Sequence, residues 1–269
     1  MKLETKDLLT GDEISSKEFL ELIDFSIKLK EENKTVKGKQ LLENKTLAML
    51  FEKPSTRTRV SFETGMKQLG GHTIILSLNE MQHSRGESVE DTAKTLSGYV
   101  DGIVARVYEH SFIEDLAKHA TVPVINGLSN SYHPCQTLAD FMTIKEHKKK
   151  FKDLKIAWIG DGNNVCNSLI FGCSKTQTDI VIATPKGFEP NPEVVKKASE
   201  NTTIDLTTDP ESAVKDADIV MTDTFTSIHT SDPKRTEKFL PSFQVNEYLM
   251  EKAKNDAIFM HCLPAKRDQ

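Results

Sequence analysis

Phe51-Glu52-Lys53-Pro54-Ser55-Thr56-Arg57-Thr58-Arg59-Val60-Ser61-Phe62-Glu63 joins a predicted strand to a predicted helix and puts its polar groups at the junction. The apolar run 47–51 reads as a buried strand, and Pro54 ends it because proline cannot donate to a sheet ladder. Phe62, Met66 and Leu69 then recur at helical spacing up to Gly70-Gly71. The hydroxyls of Ser55, Thr56 and Thr58 and the guanidinium groups of Arg57 and Arg59 therefore fall where a strand feeds a helix. First-turn amides lack partners within their own helix, and the helix dipole is positive there, so the junction suits an anion. Arg57 adds a planar donor fork that matches phosphate or carboxylate oxygens. Ser and Thr are ordinary helix caps. Two arginines in a first turn nevertheless oppose the dipole, where a purely structural start would favour acids. A local rule broken in this way points to an anion site.

Outward from this stretch, strands and helices alternate. Ser15-Ser16-Lys17-Glu18 forms a capping box, with Ile14 and Phe19 as its hydrophobic staple. After the opening motif, strands are predicted at 73–78, 102–107 and 122–125. Ser88 starts a helix carrying Val89, Ala93, Leu96 and Val100, Ser111-Phe112-Ile113-Glu114 is a second capping box, and a helix follows Tyr132-His133-Pro134-Cys135-Gln136 through His147. The lysine-rich run 148–152 reads as a solvated helix end and the best boundary between domains. Beyond it strands are predicted at 155–159, 179–183, 204–206, 219–222 and 258–261, with helices after Asn164 and at 192–199, 209–215 and 246–254. Such alternation predicts an α/β fold with mainly parallel sheets. A chain of 269 residues has room for two such domains.

Composition narrows the function. The formal net charge of −5 gives no support for nucleic-acid binding, although a local basic pocket can still recruit an anionic metabolite. No apolar run approaches the length of a membrane span, and residues 1–12 lack the apolar core of a signal peptide. Cys135, Cys166, Cys173 and Cys262 form no CxxC pair, so neither a zinc site nor a disulfide framework is suggested, and a reducing, cytoplasmic compartment fits.

In open α/β sheets, ligands bind outside the carboxyl ends of the strands. Polar residues gather at those ends: Ser55 to Thr58, Arg106, and His133 with Gln136 in the first half; Asp161 to Asn164, Asp223 to Ser227, and His261-Cys262-Leu263-Pro264 in the second. His133 is either a satisfied structural histidine or a donor to a carbonyl oxygen. Cys262 alone reads as a small buried hydrophobe. Asp223, directly after an apolar strand, is either a helix cap or the partner of a substrate ammonium. Gly160-Asp161-Gly162-Asn163-Asn164 partly matches a dinucleotide loop, but Val165 stands where the third glycine belongs, which argues against a nicotinamide cofactor.

Together these motifs resemble the aspartate/ornithine carbamoyltransferase family. Residues 51–59 resemble its carbamoyl phosphate motif, and His133-Pro134-Cys135-Gln136 its second motif. Gln82-His83-Ser84-Arg85-Gly86-Glu87, Gly160-Asp161-Gly162-Asn163-Asn164 and His261-Cys262-Leu263-Pro264 are similar to the ornithine branch. The resemblance implies a carbamoyl phosphate-binding domain over 1–147, an ornithine-binding domain over 148–269, and an active site between them. It implies that Ser55, Thr56, Arg57 and Thr58 hold the phosphate, and that Arg106, His133 and Gln136 bind the carbamoyl oxygen or neighbouring atoms. Gln82 would come from an adjacent subunit of a homotrimer. Asn164, Asp223, Ser227 and Ile228 would bind ornithine, while Cys262 and Leu263 would lie beside the reacting nitrogen and carbamoyl group. The implied reaction gives citrulline and phosphate in arginine metabolism, with no metal or organic cofactor.

Two departures accompany the resemblance. Ile228-His229 replaces the branch's usual Met-Gly in the substrate loop, and the family's C-terminal arginine and final helix have no counterpart before Gln269. Carbamoylation of another amine, such as putrescine, and a non-catalytic anion-binding role are the competing readings. Either Cys262 or the departing phosphate serves as proton acceptor.

Overall fold

The computed structural model describes residues 3–35, 40–226 and 233–266. The chain forms two compact units, Met1–Cys135 and Gln136–Gln269. Each is built on a parallel sheet with helices in its crossovers.

In the first unit, α1 (Ser16–Thr35) opens on the expected capping box. The Ser15 backbone N–H and hydroxyl both donate to Glu18 Oε2, at 2.8 and 2.7 Å, and Ile14 and Phe19 are buried beside it. The sheet holds β1 (Thr46–Phe51), β2 (His72–Ser77), β3 (Gly102–Arg106) and β4 (Val124–Leu128), in the order β2-β1-β3-β4. The crossovers carry α2 (Thr56–Gln68), α3 (Val89–Ser97) and α4 (His110–His119). Alternate β1 residues feed different cores: Ala48 and Leu50 join one cluster, while Leu47, Met49 and Phe51 join another. A strand buried on both faces must be apolar throughout, which is why 47–51 reads as a continuous hydrophobic run.

In the second unit, the sheet order is β7-β6-β5-β8-β9, all parallel. Its strands are β5 (Lys155–Ile159), β6 (Asp179–Ala183), β7 (Ile204–Thr207), β8 (Ile219–Thr222) and β9 (Ile258–His261). Helix α5 (Pro134–Lys148) leads into the unit, and α6 (Asn164–Thr176), α7 (Pro192–Ala198), α8 (Pro210–Val214) and α9 (Glu247–Met250) follow. Trp158 is fully buried, and its Nε1–H donates to the Asp161 carbonyl at 2.9 Å.

Two expected helix boundaries need correction. Helix α4 starts at His110, one residue before Ser111, so Ser111 lies inside it and Glu109 is the cap position, without a side-chain capping bond. Helix α9 is four residues long, much shorter than the expected 246–254. Asn246 does cap it, accepting from Leu249 N–H at 3.0 Å. The chain then turns at 251–254 to bring Lys254 N–H onto the Ala217 carbonyl at 3.1 Å. No helix among the described residues is long and apolar enough to cross a membrane.

Both sheet orders reverse direction once. In the first, connections from β1 and from β3 diverge between those two strands, and in the second the same happens between β5 and β8. The crevice above such a switch point is where an open α/β sheet accepts a ligand. Ser55 follows β1 and Arg106 ends β3; the Gly160 loop follows β5 and Asp223 follows β8.

Candidate active site

At the first switch point, Ser55 occupies the cap position of α2 in extended conformation, yet its side chain makes no capping hydrogen bond. The first turn contains no acid. The ordinary structural use of a serine here is therefore absent, and the helix start keeps its positive potential. Arg106 Nη1 donates to Thr58 Oγ1 at 2.8 Å, which aims that guanidinium at the same turn. Its Nε is buried without a hydrogen-bond partner among the described residues. Burial, and then the charge of Arg57, hold the Arg106 pKa below its ordinary value. Among the described residues no carboxylate pairs with Arg57 or Arg106. Two mutually repelling cations with an orphaned buried donor form a site that lacks negative charge.

His133 immediately precedes α5. Burial, and then the charge of Arg106, push its imidazole down to about 3. The ring is neutral at any working pH and offers one N–H donor. Gln82 begins a short 3₁₀ turn after β2 and is exposed. Its side chain forms no hydrogen bond to Ser55, Arg57 or Arg106 of the same chain.

At the second switch point, the glycines of the 160–164 loop have structural work. Gly160 has φ +134°, and a Cβ on Gly162 would lie 2.2 Å from Pro190 N and 2.4 Å from the Glu189 carbonyl carbon. The second glycine thus admits a neighbouring backbone, which explains the dinucleotide-like spacing without a dinucleotide. Asn163 caps α6, its Oδ1 accepting from Val165 and Cys166 N–H at 3.0 and 3.1 Å. Its Nδ2 donates to Asp223 Oδ2 at 2.8 Å. Asp223 Oδ1 also accepts from Thr224 N–H at 2.7 Å and from the Cys262 thiol at 3.1 Å. One carboxylate is thereby fixed by groups from three loops. Burial, and then the adjacent Asp223 charge, push the Cys262 thiol well up, so it holds its proton.

Asn164 lies buried at the first position of α6, and Leu263 is exposed. Gln136, in the first turn of α5, donates from Nε2 to Asp140 Oδ1 at 2.9 Å. Ser227 and Ile228 lie outside the described residues, as does His229. Asp223, His261 and Cys262 bring potential metal-ligand atoms within 4.8 Å of one another. That donor set suits a divalent ion only if the thiol gives up the proton it donates to Asp223.

Three contributions escaped the sequence. Asn163 falls in the polar stretch 161–164, but nothing in the sequence marks it as the clamp on Asp223. Asp140 sits one helical turn after Gln136, a spacing that signals a pair without revealing its burial. Arg235 pairs with Asp161 and donates from Nε to the Phe225 carbonyl at 3.0 Å, and its guanidinium lies 4.6 Å from the Phe188 ring centre. It ties the loop after β5 to the loop after β8, and nothing local in the sequence marks it.

Comparison with known proteins matches residues 6–146 to the carbamoyl-P binding domain of aspartate/ornithine carbamoyltransferase. Residues 152–269 match that family's Asp/Orn binding domain. Over 269 residues the chain is 58% identical to an ornithine carbamoyltransferase of Cenarchaeum symbiosum, covering all of this chain and 89% of that protein. An ornithine carbamoyltransferase of Methanocaldococcus jannaschii is 50% identical over 267 residues, which cover 97% of this chain and 87% of that one. Among solved structures, the ornithine carbamoyltransferase of Pyrococcus furiosus superposes with a TM-score of 0.95 at 48% identity, over all of this chain and 88% of its own.

Proposed function

Because the chain belongs to the aspartate/ornithine carbamoyltransferase family, we propose that it transfers the carbamoyl group of carbamoyl phosphate to the side-chain amine of L-ornithine, giving L-citrulline and phosphate. The observation that carries this reading is the uncompensated cationic pair. Arg57 and Arg106 face one helix start without a carboxylate among the described residues, and Arg106 Nε is buried and unpaired. A dianionic phosphate supplies what that arrangement lacks.

In this reading Ser55, Thr56, Arg57 and Thr58 bind the phosphate, with Gln82 of a neighbouring subunit completing the site. Arg106 and neutral His133 donate to the carbamoyl oxygen, where negative charge grows as the amine attacks. Gln136, Cys262 and Leu263 flank the carbamoyl group. Asn164, Asp223, Ser227 and Ile228 bind ornithine, with Asp223 on the α-ammonium. A carboxylate nearer the reacting amine would keep that amine charged and non-nucleophilic.

The nucleophile must be neutral. A lysine-like amine titrates near about 10.4, so at pH 7 deprotonation requires about 4.6 kcal/mol. The raised thiol of Cys262 supports the departing phosphate as the acceptor of the amine's proton. In the step the amine nitrogen forms a bond to the carbamoyl carbon, the bond to the phosphate oxygen breaks, and the amine proton leaves with phosphate. Nothing in it calls for a metal or organic cofactor. We place residues 1–147 on carbamoyl phosphate and 148–269 on ornithine, in a cytoplasmic homotrimer or a multiple of trimers serving arginine biosynthesis. Citrulline formation by the purified chain from the two substrates tests the reading. No ureido product from ornithine, with folding verified, overturns it.

A further inference from the structure

Asp140 has no place in the mechanism above, yet it is a carboxylate only 7% exposed. It lies on α5 one turn after Gln136 and accepts that side chain's Nε2–H at 2.9 Å. The titratable groups that face it are Asp223, at the end of β8, and Cys262, after β9. Burial raises its pKa to about 7, Asp223 adds to the rise, and the Gln136 hydrogen bond only partly opposes it. The helix beneath is closely seated. A Cβ on Gly172 of α6 would lie 2.3 Å from a Phe141 ring carbon and 2.6 Å from Thr137 Cγ2, so α5 and α6 fit without slack. A leucine at 140 would avoid the desolvation penalty, and the carboxylate therefore needs a reason.

We propose that Asp140 is a positioning residue for carbamoyl recognition: by accepting from Gln136 Nε2 it fixes the amide with Oε1 as its remaining acceptor, so that the site selects a ligand bearing –NH2 on the phosphorylated carbonyl. The inference rests on the carbamoyl-transfer reading and adds to it the source of discrimination. An ionised carboxylate can only accept, and a flipped Gln136 would set Oε1 against it. The amide polarity is thus decided as long as Asp140 is charged. A carbamoyl group brings two N–H donors to the remaining oxygen. An acetyl group, nearly the same shape, brings a methyl and leaves that oxygen unsatisfied.

Acetyl phosphate is the probe. Calorimetry at pH 8, without ornithine, compares carbamoyl phosphate with acetyl phosphate for the unmodified chain, Asp140→Asn, Gln136→Met and the double variant. Asparagine can donate or accept, so Asp140→Asn releases the amide polarity while keeping the shape. The expected result is about a tenfold loss of carbamoyl phosphate affinity in each single variant, little change for acetyl phosphate, and no further loss in the double variant. Equal loss for both ligands would assign Asp140 a merely structural role. Unchanged preference, or losses that multiply in the double variant, would overturn the proposal equally. Gln136→Met keeps the test open if Asp140→Asn proves unfolded. Citrulline formation by the unmodified chain, measured alongside, separates the two claims: if it fails, the functional reading falls, and if it succeeds with unchanged preference, only the role of Asp140 falls.

Discussion

Replacing Asp140 by Asn should stabilise the second unit, and the gain should grow with pH. The buried carboxyl has a folded pKa near 7 against 3.8 for the free group, so the folded chain binds this proton more tightly than the unfolded chain does. The sign follows from linkage: stability falls with rising pH wherever the folded state holds more protons. The loss begins near pH 4, as the unfolded carboxyl ionises, and ends once the folded one has ionised above pH 7. About three units at about 1.36 kcal/mol each give about 4 kcal/mol across the whole window. The larger part of that loss falls between pH 5 and pH 8. Asparagine does not titrate and keeps a hydrogen bond to Gln136, so the variant escapes this loss. Trp158, the chain's single tryptophan, is fully buried in the same unit as Asp140 and reports its unfolding. Urea unfolding followed by its fluorescence at the two pH values gives the comparison directly. A stability difference between variant and unmodified chain that stays constant from pH 5 to pH 8 would refute the claim that Asp140 is buried with a raised pKa.

Other consequences are open to simple assays. Arg57→Ala removes a charged donor worth about 1.5–3 kcal/mol, so carbamoyl phosphate affinity measured by calorimetry should fall at least about tenfold with the fold intact. Efficiency toward ornithine should climb from about pH 6 to about pH 8.5 as the neutral amine becomes available, and because His133 is already neutral the climb should persist in His133→Asn. If Gln82 serves a neighbouring subunit, Arg57→Ala and Gln82→Ala should each be nearly inactive alone and regain a fraction of activity when refolded together. Mixed trimers of folded chains without recovery would show that Gln82 acts within its own chain or not at all.

How far the sequence could be read depends on how local each signal is. The 47–51 run, the Ser15–Glu18 box and the strand ends carrying Ser55, Arg106 and Asp223 are short-range patterns, and they mark the strands and their polar ends, whereas the strand order that makes switch points of two of those places is visible only in the fold. Glycine spacing at 160–162 was ambiguous because a close backbone approach and a pyrophosphate approach demand the same missing Cβ. Ser111 looked like a cap because its box is complete in sequence, yet backbone geometry starts α4 one residue earlier. The clamp on Asp223 reaches Asn163 and Cys262, 60 and 39 positions away, and the Asp161–Arg235 pair spans 74. Such contacts follow from strand order, which no single stretch encodes. The uncompensated charge at Arg106 became visible only once its neighbours were known.

The central claim concerns which amine receives the carbamoyl group. Carbamoyl phosphate labelled with a heavy isotope at the carbamoyl carbon, offered to the chain with equal amounts of ornithine, putrescine and aspartate, answers it in one mass spectrum. The expected product is labelled citrulline, with phosphate released in equal amount. Label in carbamoylputrescine or carbamoylaspartate, or label found only in the spontaneous breakdown products of carbamoyl phosphate, would contradict the account.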